Sequence, residues 1–251
     1  TVYGFDITDQ GDPLTSFGIM LHNSIEDVKF INGEISGVDI GIEFNTTTGD
    51  LSFQNIVIDE SVGVPLRSGS ERGNLQATFE NCDIGGRRSL VEINATGRDV
   101  DILFLNTTFD RSLPVKLEGD AYLNVSWHLD LIVMNGMGDP LRTNLGIFPN
   151  SGGRPANLDL HDGRLKKYQM AERSYWDIFR PTIFGWDLKF QPEGYPENII
   201  NIDDFTIDSY TMMMVRIDLK PYNDMPGQIT IDEDTWFTTD LSENFTDPEG
   251  S

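Results

Sequence analysis

Through the first half of the chain, apolar and polar positions alternate in short runs, and the runs recur. Val28-x-Phe30-x-Asn32-x-x-Ile35 returns as Leu51-x-Phe53-x-Asn55-x-x-Ile58, then as Ala77-x-Phe79-x-Asn81-x-x-Ile84 and Ile102-x-Phe104-x-Asn106-x-x-Phe109. The asparagines lie 23, 26 and 25 residues apart. A second apolar pair keeps step: Ile19/Leu21, Ile42/Phe44, Val64/Leu66, Val91/Ile93 and Val115/Leu117, spaced 23, 22, 27 and 24 residues. This period predicts a coil of two half-buried strands, with turns rich in Gly, Asn, Asp and Ser between them. Stacked coils would bury Phe, Ile, Val and Leu and pair their backbones about 4.8 Å apart. One asparagine per coil (Asn32, Asn55, Asn81, Asn106) can form a ladder of side-chain amides, which we expect to point into the stack.

These motifs resemble the right-handed parallel β-helix family over roughly residues 1–125. The resemblance implies an architecture found in many secreted and surface-anchored prokaryotic proteins, and no particular activity. A leucine-rich repeat would need a leucine-dominated consensus that this sequence lacks.

From Trp127 onward the pattern changes. Strand candidates are Trp127–Asn135, Leu145–Phe148, Arg164–Met170, Trp186–Phe190, Ile199–Ile202 and Thr211–Leu219, separated by Gly and Pro clusters. Short strands at this density predict a β-sandwich over residues 126–221. The turns Gly138-Asp-Pro140 and Asp162-Gly-Arg164, with the later strand Phe184–Tyr195, resemble carboxypeptidase-regulatory-like, immunoglobulin-type modules. That resemblance implies a spacer or binding domain without catalysis. Residues 222–251 contain Asn223–Phe237 and Asp240–Gly250, which resemble the opening of a cadherin-like repeat. The expected fold class is therefore all-β: a parallel β-helix, an immunoglobulin-like sandwich, and the start of a third module or an extended tail.

Charge narrows the function. Among 251 residues, 18 Lys+Arg stand against 41 Asp+Glu, a net charge of −23. Such a surface repels phosphate backbones and anionic lipids, so neither nucleic acid nor a membrane surface is an expected partner. It suits a solvated extracellular surface, cation binding or a salty medium. Cys82 is the single cysteine, which excludes an internal disulfide. No apolar run reaches the ~20 residues of a spanning helix. Residue 1 falls within strand-like sequence, so the chain reads as an internal piece of a longer, processed polypeptide. Sequons at Asn45, Asn94, Asn106, Asn124 and Asn244 point to a secreted or cell-surface glycoprotein. Asn106 conflicts with its own ladder role, and its sequon is expected to stay empty.

Candidate chemistry is sparse. Many β-helix proteins cut polysaccharides with clustered carboxylates, yet Asp99/Asp101, Glu26/Asp27 and Asp203/Asp204 do not recur on neighbouring coils. They read as solvated faces. Within the cadherin-like resemblance, Glu233, Asp234, Asp247 and Glu249 are the implied Ca²⁺ ligands, as hard oxygen donors at a domain junction. His161-Asp162 has no matched nucleophile and reads as a turn. Met212–Met214 fits strand packing, and Trp127, Trp176, Trp186 and Trp236 fit core or junction positions. The expectation is a non-enzymatic structural or adhesive cell-surface subunit that associates with itself or with neighbouring surface proteins through β-strand edges. The alternatives are a polysaccharide-degrading lyase or hydrolase and a calcium-dependent glycan-binding module.

Overall fold

The computed structural model describes residues 1–9, 16–24, 28–68, 74–135, 138–176, 181–195 and 197–202, with the strand backbones Thr211–Ile217, Ile229–Thr230 and Phe237–Thr238. The chain divides into two compact units, Thr1–Ser126 with Arg173–Thr182, and Trp127–Glu172 with Ile183–Ser251. Among the described residues, all elements are β-strands.

The first unit is a β-solenoid. Its strands are β1 (Val2–Thr8), β2 (Phe17–Ser24), β3 (Val28–Ser36), β4 (Ile40–Ile58), β5 (Val64–Ser68), β6 (Leu75–Glu80), β7 (Asp83–Ile84), β8 (Val91–Leu105), β9 (Thr108–Phe109) and the start of β10 (Val115–Asn135). Every pairing in this unit from β1 to the start of β10 is parallel. β4 and β8 each serve twice, because the second strand of one coil runs straight into the first strand of the next. The motif phenylalanines stand in register, Phe30 on Phe53, Phe53 on Phe79 and Phe79 on Phe104. Val2 stands in register with Phe30, and Val125 with Phe104. Phe30 and Phe53 stack at 5.0 Å and Phe53 and Phe79 at 4.5 Å, while Phe79 and Phe104 meet edge-on at 5.6 Å. Each such pair adds ~0.5–1.5 kcal/mol beyond the area it buries.

The asparagine column corrects one expectation. Asn32, Asn55, Asn81 and Asn106 have φ of 59°, 54°, 53° and 49°, in the left-handed region. The side chains of Asn32, Asn55 and Asn81 are exposed, and that of Asn106 is half-buried; none points into the stack. The cause is the corner itself. A left-handed residue breaks strand alternation, so Gln54 and Asn55 both turn outward between the buried Phe53 and Ile56. Asparagine tolerates this conformation better than most residues. The amides still pair along the outside: Asn55 Nδ2 donates to Asn32 Oδ1 at 2.9 Å, and Asn106 Nδ2 to Asn81 Oδ1 at 3.4 Å. Gly4, at φ 57°, holds the same corner in β1, so Val2-x-Gly4-x-x-Ile7 is a further copy of the motif.

The second strand column is also shifted in one coil. Ile42 pairs with Leu66 and Leu66 with Val91, so Leu66/Ser68, and not Val64/Leu66, stands in register with the pairs of the other coils, although Val64 is buried as well. Ser68, being polar, breaks the apolar pattern of its column. It is nevertheless buried, and its hydroxyl accepts from Asn94 N–H at 3.1 Å while lying 3.3 Å from Asn94 O.

The second unit carries the rest of β10, then β11 (Thr143–Pro149), β12 (Ala156–Leu160), β13 (Arg164–Trp176, to Glu172), β14 (Thr182–Ile183, from Ile183), β15 (Trp186–Pro192), β16 (Asn198–Ile202), β17 (Thr211–Ile217), β18 (Ile229–Thr230) and β19 (Phe237–Thr238). One sheet runs β12-β11-β15-β16-β18, antiparallel from β12 to β16 and parallel at β18. Leu145, Ile147, Leu188, Phe190 and Ile200 form its buried face. β17 pairs in parallel with Leu129–Asn135 and with β19. The Asp162-Gly-Arg turn is fixed by Gly163 at φ 66°, where a Cβ would lie 2.5 Å from Val133 O. Trp127, 1% exposed, donates its indole N–H to the fully buried Glu172 carboxylate at 2.6 Å.

Two predictions test the solenoid. Asn81→Val should lower the unfolding free energy in urea by about 1–2 kcal/mol more than Asn81→Gly, because only glycine keeps the left-handed corner free of strain. Equal losses would show that the corner does not depend on φ. Burial pushes the Cys82 thiol up to about 11. The folded chain therefore keeps a proton that the unfolded chain releases from pH of about 9 upward, and stability from this group is lost as pH rises towards about 11. The stability advantage of the wild type over Cys82→Ala should shrink across that window, and iodoacetamide should label Cys82 only as fast as the solenoid opens.

Candidate functional site

Several residues singled out in the sequence lie outside the described residues: Glu233, Asp234, Asp247 and Glu249, the sequon Asn244, Trp236, and the pairs Glu26/Asp27 and Asp203/Asp204. Met212–Met214 is seen only as β17 backbone. Among the described residues, no group of three or more His, Cys, Asp or Glu is placed to hold a metal ion. No helix among them is long and apolar enough to cross a membrane.

The remaining sequons lie on strands or a corner. Asn45 is half-buried on β4. Asn94 accepts from the Thr96 N–H and hydroxyl at 3.1 and 2.7 Å and donates Nδ2 to Glu118 Oε2 at 3.1 Å. A glycan on that nitrogen would displace Glu118. Asn124 Oδ1 accepts from the Ser174 hydroxyl at 2.7 Å, and the sequon's own Ser126 is buried. Asp99 is exposed and Asp101 half-buried on the outer face of β8, between the buried Val100 and Ile102. Burial, helped by the charge of Asp99, raises the Asp101 carboxyl above its ordinary range. In register, Asp99 neighbours Asp120, and Asp101 lies between Gln76 and Tyr122. His161 is exposed, 3.7 Å from Asp159 at the turn. Trp186 donates its indole N–H to Ala171 O at 2.9 Å, and Trp176 is 48% exposed.

The corrected register reveals a column that the sequence pattern hid. Met20, Glu43, Arg67, Glu92 and Lys116 occupy the same outward position on successive coils. Their charges alternate. Arg67 reaches Glu43 at 3.2 Å and Lys116 reaches Glu92 at 2.6 Å. Burial opposes ionisation of Glu92, but hydrogen bonds from Lys116 and Ser89 outweigh it and hold the carboxyl below its ordinary value. Counting one position beyond the second-strand apolar residue in every coil would have exposed this series, had Ser68 been accepted as an inward residue.

A third ion pair spans two coils. Arg88 Nη2 meets Asp39 Oδ1 at 2.7 Å, 49 residues away, with the Asp39 side chain only 11% exposed. Gly63 lies between them. A Cβ there would sit 2.5 Å from Asp39 O, 2.8 Å from Asp39 Oδ1 and 3.1 Å from Arg88 Nη2. The missing side chain is what lets the guanidinium reach across.

In the second unit, the outward face of β12, β11 and β15 carries a depression of about 500 Å³. Its floor is Gly146, beside which Asn157 and Lys189 stand in register. Phe148 folds its ring against Gly146, where a Cβ would lie 2.5 Å from the ring edge. Next to it, Asn144 stands between Asp159 and Gln191. Two ion pairs flank the depression, Lys189 with Glu197 at 2.8 Å and Arg142 with Asp159 at 2.8 Å.

Arg88→Ala should cost about 1–3 kcal/mol in urea unfolding by leaving the Asp39 carboxylate without its partner. Gly63→Ala should cost at least as much, because the rigid Asp39 carbonyl cannot yield to the added methyl. A neutral Gly63→Ala would show that the coils can part there without loss.

Compared with family models, curated proteins and solved structures, the chain matches none of them.

Proposed function

We propose that this chain is a non-enzymatic structural or adhesive subunit of an extracellular cell surface, joined to its neighbours through β-strand edges. The carrying observation is the solenoid itself, a parallel in-register stack of the kind that extends by strand pairing. Val2 and Tyr3 on β1 and Phe17 and Met20 on β2 give these two strands exposed apolar side chains, at 41%, 67%, 38% and 48%. Strands of this kind, apolar and unguarded by lysine or proline, favour strand addition. The ionised groups support a scaffold as well. Glu43, Asp39, Glu92 and Glu172 are each held by a structural partner. The acidic surface and the sequons fit an extracellular location.

On the same reading, residues 126–221 are an immunoglobulin-like module and residues 222–251 open a cadherin-like repeat. Ca²⁺ would bind at Glu233, Asp234, Asp247 and Glu249, a reading supported by their motif alone.

Electron microscopy of the natively secreted protein, with and without calcium, tests the assembly. Ordered chains, tubes or sheets are expected, and Tyr3→Lys with Met20→Lys should disperse them. Dispersed wild-type particles would sink the proposal.

A further inference from the structure

The depression on the second unit has the chemistry of a ligand site that the assembly reading does not use. We propose that it binds a neutral saccharide, with the Phe148 ring as stacking surface and the Asn144 and Asn157 amides as hydroxyl partners.

Three observations lead there. First, the depression's volume of about 500 Å³ lies within the ~300–1,000 Å³ of small-molecule sites. It sits on three antiparallel strands, β12, β11 and β15, and not on loops. Second, Asn144 and Asn157 are exposed, and their side-chain amides make no hydrogen bond among the described residues. Each offers one acceptor and two donors, the combination that adjacent sugar hydroxyls need. The lack of a side chain at Gly146 lets the Phe148 ring lie down against the strand, and the electron-rich face of an aromatic ring attracts the polarised C–H edge of a pyranose. Third, the charges cancel. Lys189 is held by Glu197, which also accepts from Gln191 at 2.7 Å, and Arg142 is held by Asp159. In a chain of net charge −23, a locally neutral face selects against charged ligands of either sign.

The test is calorimetric and NMR titration of the full chain with neutral cello-, manno- and chito-oligosaccharides, and with oligogalacturonate as the acidic counterpart. At least one neutral oligomer should bind and oligogalacturonate should not. Phe148→Ala should weaken binding by about tenfold or more, and so should Asn144→Ala combined with Asn157→Ala. The asparagine variants remove side chains without internal bonds, so an unchanged melting temperature keeps the result readable even if Phe148→Ala disturbs the sheet. No binding by the neutral series overturns the proposal. So does binding that ignores both variants, or equal affinity for oligogalacturonate. Saccharide binding by a dispersed protein would leave this site standing while removing the assembly proposal, so the two fail separately.

Discussion

A residue near φ +50° once per coil turns the chain out of one strand direction and into the next, and the contents of the stack follow from where it falls. In an extended strand the residues two before and two after a given position share its face. The left-handed corner resets that count, so Phe53 and Ile56, three apart, are both inside. The same reset places Phe79 with Cys82 and Phe104 with Thr107 in the interior. Because each coil makes the corner at the same place, the phenylalanines fall above one another and stack. Glycine accepts the corner in β1 and asparagine in the coils that follow, and asparagine adds an amide bond to its neighbour that glycine cannot supply.

The corner also disturbs backbone pairing, and small polar side chains inside the stack compensate. The Thr107 hydroxyl donates to Phe79 O at 2.8 Å and accepts from Cys82 N–H at 3.2 Å, one coil apart. Cys82 Sγ lies 3.5 Å from the Ile56 nitrogen and 3.6 Å from Phe53 O in the same relation to the coil before it. Burial without these bonds would leave peptide groups unsatisfied at about 1–3 kcal/mol each. A thiol or hydroxyl just after the corner is therefore part of the coil's closure, which explains why the single cysteine sits deep in a core and away from any chemistry.

Much of the solenoid was legible because Phe-x-Asn-x-x-Ile repeats with little variation, and an in-register parallel stack puts equal residues in equal places. What stayed hidden were the positions where a residue type departs from its column. Gly4 replaces asparagine, and the first coil went unread. Ser68 stands where the other coils carry an apolar residue, so the apolar pattern of that coil runs two residues early. The outward turn of the asparagines was also beyond period-2 reasoning, which assumes an unbroken strand. In the second unit the strands could be outlined, although Ala156–Leu160, following Gly and Pro, was missed. The sheet-face depression was not legible at all. It depends on three strands bringing Asn157, Gly146 and Lys189 side by side, an adjacency that no local pattern encodes.

In-register stacking carries a penalty that the outer columns must resolve. A column of identical charged residues would set like charges about 4.8 Å apart from coil to coil, where directly opposed like charges are destabilising. For a chain with 41 acidic residues against 18 basic ones, that risk is general. The Glu43, Arg67, Glu92, Lys116 series resolves it by spending basic residues alternately with acids in one column. Asp39 and Arg88 resolve it by skipping a coil at Gly63. At Asp99 and Asp101, burial and then the charge of Asp99 raise the Asp101 carboxyl. The sparse basic residues in these columns thus sit where the parallel register most needs them, and the net negative charge is left to the surfaces that face solvent.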